Sequence, residues 1–440
     1  MIRRTLLEWT GLQFGEGDDK INRGVADRLH AAASASRLGH VALDRRANGL
    51  YARHVVGVVV AGNCVLEILP KIDFAGDSAP NETRIRDRLV HMLAFAFDFP
   101  IAAGAATGLG TQRDNLLEIL IALFASRLTD AVRKGMPRRY VEVAEDLPTL
   151  RGRLDLRRQF TVLAASPQRL ACRFDDLSPD IALNQIMKAA ITRLLRITRS
   201  ASNDRALREL AAVYADITPV HPRRLAWNEV SLDRTNVRWK GLLNLAKMLL
   251  GDRFQTTSSG QTEGISLLFD MNILFETYTA RLVDRVLQGT GFKATAQGGF
   301  RKCLRDESGS ELFLTKPDIL IRRGEIVEAI IDTKWKPLSD KIDDPKRGVS
   351  QSDIYQIMAY SRLYRCRNVV LLYPHHVRLK SQPPLLAMHT IAPFDNCNRL
   401  TIATVEIESD SSAIESLRKN LENLFNQDVE GLRFCRIASS

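Results

Sequence analysis

The sequence is poor in cysteine and has no paired cysteines. Cys64, Cys172, Cys303, Cys366, Cys397 and Cys435 are scattered and form no C-x-x-C pair. That spacing argues against a zinc knuckle or a cysteine-ligated iron–sulfur cluster and fits reduced thiols in a cytosol. No uninterrupted apolar run reaches membrane-spanning length, so no membrane association is expected. Met1 to Glu8 carries Arg3 and Arg4 without an adequate apolar stretch, so no secretory signal is expected. These absences together predict a cytoplasmic chain. No G-x-x-x-x-G-K-[S/T] occurs, so this chain is not expected to bind a nucleoside triphosphate through a P-loop. No G-x-S-x-G elbow or clustered Cys/His nucleophile site occurs either, and His30, His40 and His54 are isolated. Internal repeats and coiled-coil heptads are also missing.

What is present is a chain of 440 residues, a length that suits two to four domains. The formal net charge is +11, much of it in paired arginines such as Arg3-Arg4, Arg45-Arg46, Arg138-Arg139, Arg157-Arg158 and Arg223-Arg224. A basic excess suits a polyanion, and the arginine fork suits phosphate, although any one pair reads equally as solvated surface charge. Residues 1–75 read as a β-rich unit, with a turn at Asn48-Gly49, strands over Val55–Val60 and Val65–Pro70, and a helix over Val25–Leu38. Residues 76–255 read as mainly helical, with helices over Ile85–Phe97, Asn115–Arg133, Asp180–Thr198, Asp204–Tyr214 and Trp239–Gly251. Within them Leu150-Arg151-Gly152-Arg153 reads as a turn. Its arginines suit a phosphate, an acidic partner surface, or a salt bridge to Glu145 or Asp146. A Ser/Thr/Gly-rich stretch, Thr256 to Gly264, reads as a loop into a third region, 256–440.

The third region carries the chemistry. Ile319–Ile321 and Ile326–Ile331 are β-like runs flanking the turn Arg322-Arg323-Gly324-Glu325, and together they predict a hairpin. Asp318 opens the first strand, while Asp332 and Lys334 close the second. Antiparallel pairing brings these ends together, and residues two apart share a face. Two carboxylates can hold Mg²⁺, a hard cation that keeps several waters, and a nearby lysine can orient a water or stabilise charge on a phosphodiester. The plain alternative is a hairpin with two surface acids and a lysine. Asp332, however, leaves a run as apolar as Ile330-Ile331, where an acid needs a reason. Ile265 to Leu287 predicts a helix that places Glu276 in its apolar portion, as a salt-bridged residue or as a third acid. Asp353, Gln356 and Tyr360 share one face of a further helix. Asn368–Pro374 reads as another strand. Strands follow near Leu386–Ile391 and Leu400–Val405, and a helix over Ser411–Asn426.

The set Glu276 … Pro317-Asp318 … Asp332-Thr333-Lys334 … Gln356-x-x-x-Tyr360 resembles the PD-(D/E)xK nuclease superfamily in its RecB-like form. The phrases Phe269–Glu276, Lys316-Pro317-Asp318-Ile319, Asp332–Lys336 and Asp353–Gln356, with the earlier Leu66–Ile72 and Leu150–Arg153, resemble something narrower. This is the McrC-like nuclease subunit of McrBC-type modification-dependent restriction systems. The resemblance implies a multidomain α+β and α/β protein: a β-rich N-terminal region, a helical middle, and a C-terminal restriction-endonuclease-like α/β core. It implies a Mg²⁺-dependent DNA endonuclease that acts on methylcytosine-containing DNA together with an AAA+ GTPase ring. That McrB-like partner would bind the GTP, and this chain would stimulate it. Asp318, Asp332 and the Thr333 carbonyl would hold the metal and Lys334 would position or activate water. Glu276 would assist through a water on the metal, and Gln356 and Tyr360 would brace the site. Lys316, Trp335 and Lys336 are expected to contact nucleic acid. Two other readings remain: a non-catalytic activator of the ring, and a stand-alone RecB-like exonuclease.

Overall fold

The computed structural model describes residues 2–17, 19–36, 38, 42–71, 81–99, 115–251, 254–257, 264–339, 346, 348–379, 382–391 and 398–426. The chain divides into two compact units, Met1–Thr107 with Gln255–Ser440, and Gly108–Phe254. The stretches expected as breaks or loops, Phe74–Glu82, Ala102–Gly110 and Thr256–Gly264, lie wholly or mostly outside the described residues.

The first unit holds two main sheets. One has five strands in the order Ile2–Leu7, Cys64–Leu69, Val55–Ala61, Gly264–Asp270, Phe254–Thr257. Every residue of Val55–Ala61 and Cys64–Leu69 is buried, as a strand covered on both faces requires. Gly57 lies at φ 135°, and a Cβ there would stand 2.0 Å from the Leu267 carbonyl oxygen, so only glycine fits this pairing. The helix Arg23–Ser34 packs on this sheet, with Asn22 capping it by accepting the Gly24 N–H at 2.9 Å. A small sheet follows the Asn48-Gly49 turn, with Leu43–Arg46 paired to Gly49–Ala52.

The strand Gly264–Asp270 corrects the expected helix over Ile265–Leu287. Its residues pair antiparallel with Val55–Ala61, Ile265 opposite Val60 and Phe269 opposite Val56. The helix starts only at Met271 and runs to Leu287. Gly264 through Phe269 are all buried, and a run buried on both sides has neither the strand nor the helix period.

The other sheet has six strands in the order Lys293–Ala296, Ile319–Arg323, Ile326–Thr333, Asn368–Pro374, Arg399–Val405, Leu385–Thr390. Ile326–Thr333, Asn368–Pro374 and Arg399–Val405 run parallel. The helix Gln351–Tyr364 makes the first crossover, burying Ile357, Tyr360 and Tyr364 against Leu320, Ile330, Val369 and Leu371. Ile319, Ile321 and Ile331 are buried as well, so the sheet is covered on both faces. Helices Met271–Leu287 and Asp410–Asn426 pack on each other and on this sheet.

The second unit has the expected helices, Leu116–Arg133, Ala182–Ile197, Ala201–Val213 and Lys240–Leu250. It also has a three-stranded sheet of Arg139–Leu147, Leu170–Ser178 and Arg153–Leu154, in that order. Gly152 takes φ 70°, as the turn requires. Arg151 and Arg153 are ion-paired, to Asp176 at 2.8 Å and Glu142 at 2.5 Å. The expected partners were Glu145 and Asp146; Asp146 instead binds Arg158 at 2.9 Å. Arg153 reaches Glu142 across the intervening strand Leu170–Ser178, and the sequence does not reveal that strand order.

Candidate active site

The predicted hairpin forms, with Ile319 opposite Ile331 and Leu320 opposite Ile330 around a turn where Gly324 takes φ 58°. Asp318 therefore stands beside the end of the partner strand. Its Oδ2 accepts the Thr333 N–H at 2.7 Å and the Thr333 hydroxyl at 2.8 Å. Asp332 is 1% exposed. Lys334 Nζ lies 2.7 Å from Asp332 Oδ2 and donates to Gln356 Oε1 at 3.1 Å. Gln356 Nε2 in turn donates to the Tyr360 hydroxyl at 3.0 Å. Strand alternation and one turn of helix thus produce a continuous run from Asp332 through Lys334 and Gln356 to Tyr360.

Glu276 is half-buried on the helix Met271–Leu287. Asp270 caps that helix, accepting the Asn272 and Ile273 N–H groups at 2.8 and 3.2 Å. Burial first, and the negative charge of Asp318 second, push the Glu276 carboxyl up to about 7, against a hydrogen bond from Gln297. Burial and then Asp318 push Asp332 up to about 6, against Lys334. Asp318 is raised by burial, with its two Thr333 bonds opposing. Burial would lower Lys334, but Asp332, Asp353 and Asp318 outweigh it and hold the ammonium charged. Asp318 and Asp332 thus act electrostatically on both Glu276 and Lys334.

Among the described residues no three His, Cys, Asp or Glu side chains form a ready-made metal cluster. The donor set is two carboxylates, Asp318 and Asp332, with Glu276 in electrostatic range. Asp332 Oδ1 is buried with no hydrogen-bond partner among the described residues, while Oδ2 faces the Lys334 ammonium at 2.7 Å. A buried carboxylate oxygen left without a partner costs about 1–3 kcal/mol or more. All-oxygen donors of this number fit Mg²⁺, which keeps most of its waters.

The structure separates the three residues expected to touch nucleic acid. Lys316 is exposed, and its charge reaches Glu276. Trp335 is only 8% exposed: its indole N–H donates to Glu8 Oε1 at 2.7 Å, and its ring lies 5.2 Å from that of Phe275. It faces protein, because an indole beside a buried carboxylate and a phenyl ring is satisfied on both counts. The Lys336 ammonium is held by Asp353 and by Ser350 Oγ, so it too is engaged within the chain.

Two participants, Gln297 and Glu8, escaped sequence reasoning. Gln297 bonds Glu276 through its side chain and donates its backbone N–H to the Asp318 carbonyl at 2.7 Å, from a left-handed φ of 48°. The signal was the loop Gln297-Gly298-Gly299. Asp353, expected on the helix face of Gln356 and Tyr360, lies 4.0 Å from Lys334 besides holding Lys336. Glu8 is 327 residues from Trp335 and left no local signal.

A family model described as "McrBC 5-methylcytosine restriction system component" matches residues 50–374. The match takes in Glu276, Asp318, Asp332, Lys334, Gln356 and Tyr360. The chain is 21% identical over 301 residues to the Escherichia coli K12 "Type IV methyl-directed restriction enzyme EcoKMcrBC", covering 65% of this chain and 85% of that one. Its fold is similar to that of a chain in a refined half-complex from a tetradecameric assembly of Thermococcus gammatolerans McrB AAA+ hexamers with bound McrC. The TM-score there is 0.71 at 23% identity, over 96% of this chain and 100% of that one. A chain of the Thermococcus gammatolerans McrBC complex matches with TM-score 0.52 at 26% identity, over 68% and 89%. With most of its length matched, the chain belongs to the McrBC 5-methylcytosine restriction system component family.

Proposed function

We propose that this chain is the Mg²⁺-dependent DNA endonuclease subunit of a modification-dependent restriction complex, assembled with an McrB-like AAA+ GTPase ring. The observation that carries the reading is the buried Asp332 carboxylate, short of donors, set between Asp318 and the Lys334 ammonium. Support for the ring partner is the likeness to a chain of the assembly of McrB hexamers with bound McrC.

Asp318 and Asp332 would hold Mg²⁺, with the Thr333 carbonyl as a further donor. Mg²⁺ would supply Lewis acidity toward the phosphate and make a water easier to deprotonate. The chain's own residues do the rest. Thr333 fixes Asp318 through two bonds. Lys334, charged and aimed by Asp332 and Gln356, orients water and offsets charge building on the phosphate. Tyr360 holds Gln356. Glu276, with its carboxyl pushed up to about 7, is suited to take a proton near neutral pH. Exposed Lys316 binds the DNA backbone beside the cut.

The test is cutting of a cytosine-methylated plasmid by the chain plus its cognate GTPase, with Mg²⁺ or with EDTA. Asp332→Ala should abolish cutting and leave stimulation of the GTPase intact. Stimulation without any cutting by the parent chain would instead select the activator role. Cutting that survives Asp332→Ala would remove the proposed site.

A further inference from the structure

Glu8 follows the strand Ile2–Leu7 in the N-terminal sheet and is 1% exposed. Its Oε1 accepts the Trp335 indole N–H at 2.7 Å and the Lys71 backbone N–H at 3.0 Å. Its Oε2 is buried with no hydrogen-bond partner among the described residues. Burying a carboxylate with half its acceptor capacity unmet is costly, and a neutral side chain would avoid that cost.

What the carboxylate holds is the residue after Lys334. At Lys334 the chain leaves its sheet: the Lys334 N–H still donates to the Leu372 carbonyl at 2.9 Å, and the strand has already ended at Thr333. Beyond this point the ladder no longer fixes the backbone, and the Trp335 indole becomes the next anchor. The same ring lies 5.2 Å from that of Phe275, the neighbour of Glu276. The N-terminal sheet also reaches Glu276 by a second route. Gly264–Asp270 is one of its strands, the Met271 N–H donates to the His54 carbonyl at 3.0 Å, and His54 Nε2 lies 3.0 Å from Asp270 Oδ2. Asp270 is the cap of the Glu276 helix.

We propose that Glu8 is a positioning residue for the nuclease site. Through Trp335 it sets the placement of Lys334, and through the Trp335–Phe275 contact that of Glu276. The N-terminal sheet is on this view a working part of the site: a shift of the strand end at Glu8 moves the lysine. The proposal rests on the nuclease reading above.

The experiment uses the full chain with its cognate GTPase, a methylated plasmid and Mg²⁺. Glu8→Ala removes the acceptor, Glu8→Gln keeps one, and Trp335→Phe keeps a ring but removes the donor. A misplacement on the order of 1 Å costs up to about 10²-fold. The expected result for Glu8→Ala and Trp335→Phe is therefore a turnover loss of about 10- to 100-fold. The half-saturating DNA concentration and the GTPase stimulation should stay unchanged. Glu8→Gln should cut within about threefold of the parent on the same grounds. With ¹⁵N-indole labelling the four tryptophans give four N–H signals. The one lost in Trp335→Phe should move in Glu8→Gln. If Glu8→Ala does not fold, Glu8→Gln against Trp335→Phe carries the comparison. Parent-like cutting by Trp335→Phe or a folded Glu8→Ala would overturn the proposal, as would a Glu8→Gln no better than Trp335→Phe. A parent that cuts nothing would overturn the nuclease reading itself, and that result appears before any Glu8 variant is made.

Discussion

The Lys334 ammonium donates to Gln356 Oε1 at 3.1 Å, joining the end of a strand to the middle of the crossover helix. The amine is fixed from two elements, with Asp332 on one side and Gln356 on the other. Lys334→Ala should lower cutting by about 10²–10³-fold, the loss expected for a single charge-stabilising donor. Gln356→Ala leaves the ammonium in place but frees it to turn, so its loss should be smaller. Single-turnover rates with saturating DNA separate the two; equal losses would show that Gln356 does more than orient the lysine.

Stability of the metal-free chain should fall as pH rises. The folded state raises Glu276 from 4.5 to about 7 and Asp332 from 3.8 to about 6. Both groups then hold protons more tightly folded than unfolded, so their favourable contribution is complete below about pH 4 and is lost as pH passes 6 to 7. In EDTA, Tm should drop between pH 5 and 8, and Mg²⁺ at pH 7.5 should restore part of it by binding the folded state. Asp332→Asn, which cannot ionise, should remove the Asp332 part of the EDTA profile, leave the Glu276 part, and abolish the Mg²⁺ shift. A parent whose Tm is indifferent to both pH and Mg²⁺ would count against the site.

Arg86 and Glu67 form a buried, two-pronged pair, at 2.8 Å from Nε and 2.7 Å from the terminal nitrogen. It ties the helix Glu82–Ala96 to the strand Cys64–Leu69. Arg86→Met should destabilise by about 3–5 kcal/mol, because Glu67 stays buried without its guanidinium. Adding Glu67→Leu should recover much of that loss. Denaturant midpoints of the two variants test the pair, and a double variant no more stable than Arg86→Met would contradict it.

Gly57→Ala should damage the site from a distance. The new Cβ would meet the Leu267 carbonyl at 2.0 Å, forcing apart the pairing that leads into the Glu276 helix. Left-handed strain alone is worth about 1–3 kcal/mol, and the clash adds to it. Gly309 also has a positive φ, but a Cβ there meets nothing within 4 Å. Gly309→Ala should therefore show the strain without the clash, in both thermal melts and cutting.

The hairpin with Asp318, Asp332 and Lys334 was readable because its information is local: two apolar runs, one turn, and a two-residue alternation. Gln356 and Tyr360 were readable for the same reason, being four apart on one helix. The strand Gly264–Asp270 was not, since its residues are covered on both sides and an apolar run of that kind has no period. Asp270, a helix cap, was the available sign of where strand gives way to helix. The intrachain contacts of Trp335 and Lys336 were not readable, because adjacency to a motif does not say which way a side chain faces once the strand has ended. Arg151 and Arg153 found other acids than those expected because the order of strands in the sheet set which acids they could reach.

By itself the sequence determined the order of the chemical groups, the hairpin that brings Asp318 to Asp332, and the family resemblance. These depend on contacts within short stretches of chain, where residue type and spacing fix geometry. Tertiary structure alone decided that Gln297 steadies Glu276, that Asp353 takes Lys336, and that Glu8 reaches Trp335 across 327 residues. Those contacts join segments whose approach is set by how whole sheets and helices pack, and no local pattern encodes that distance.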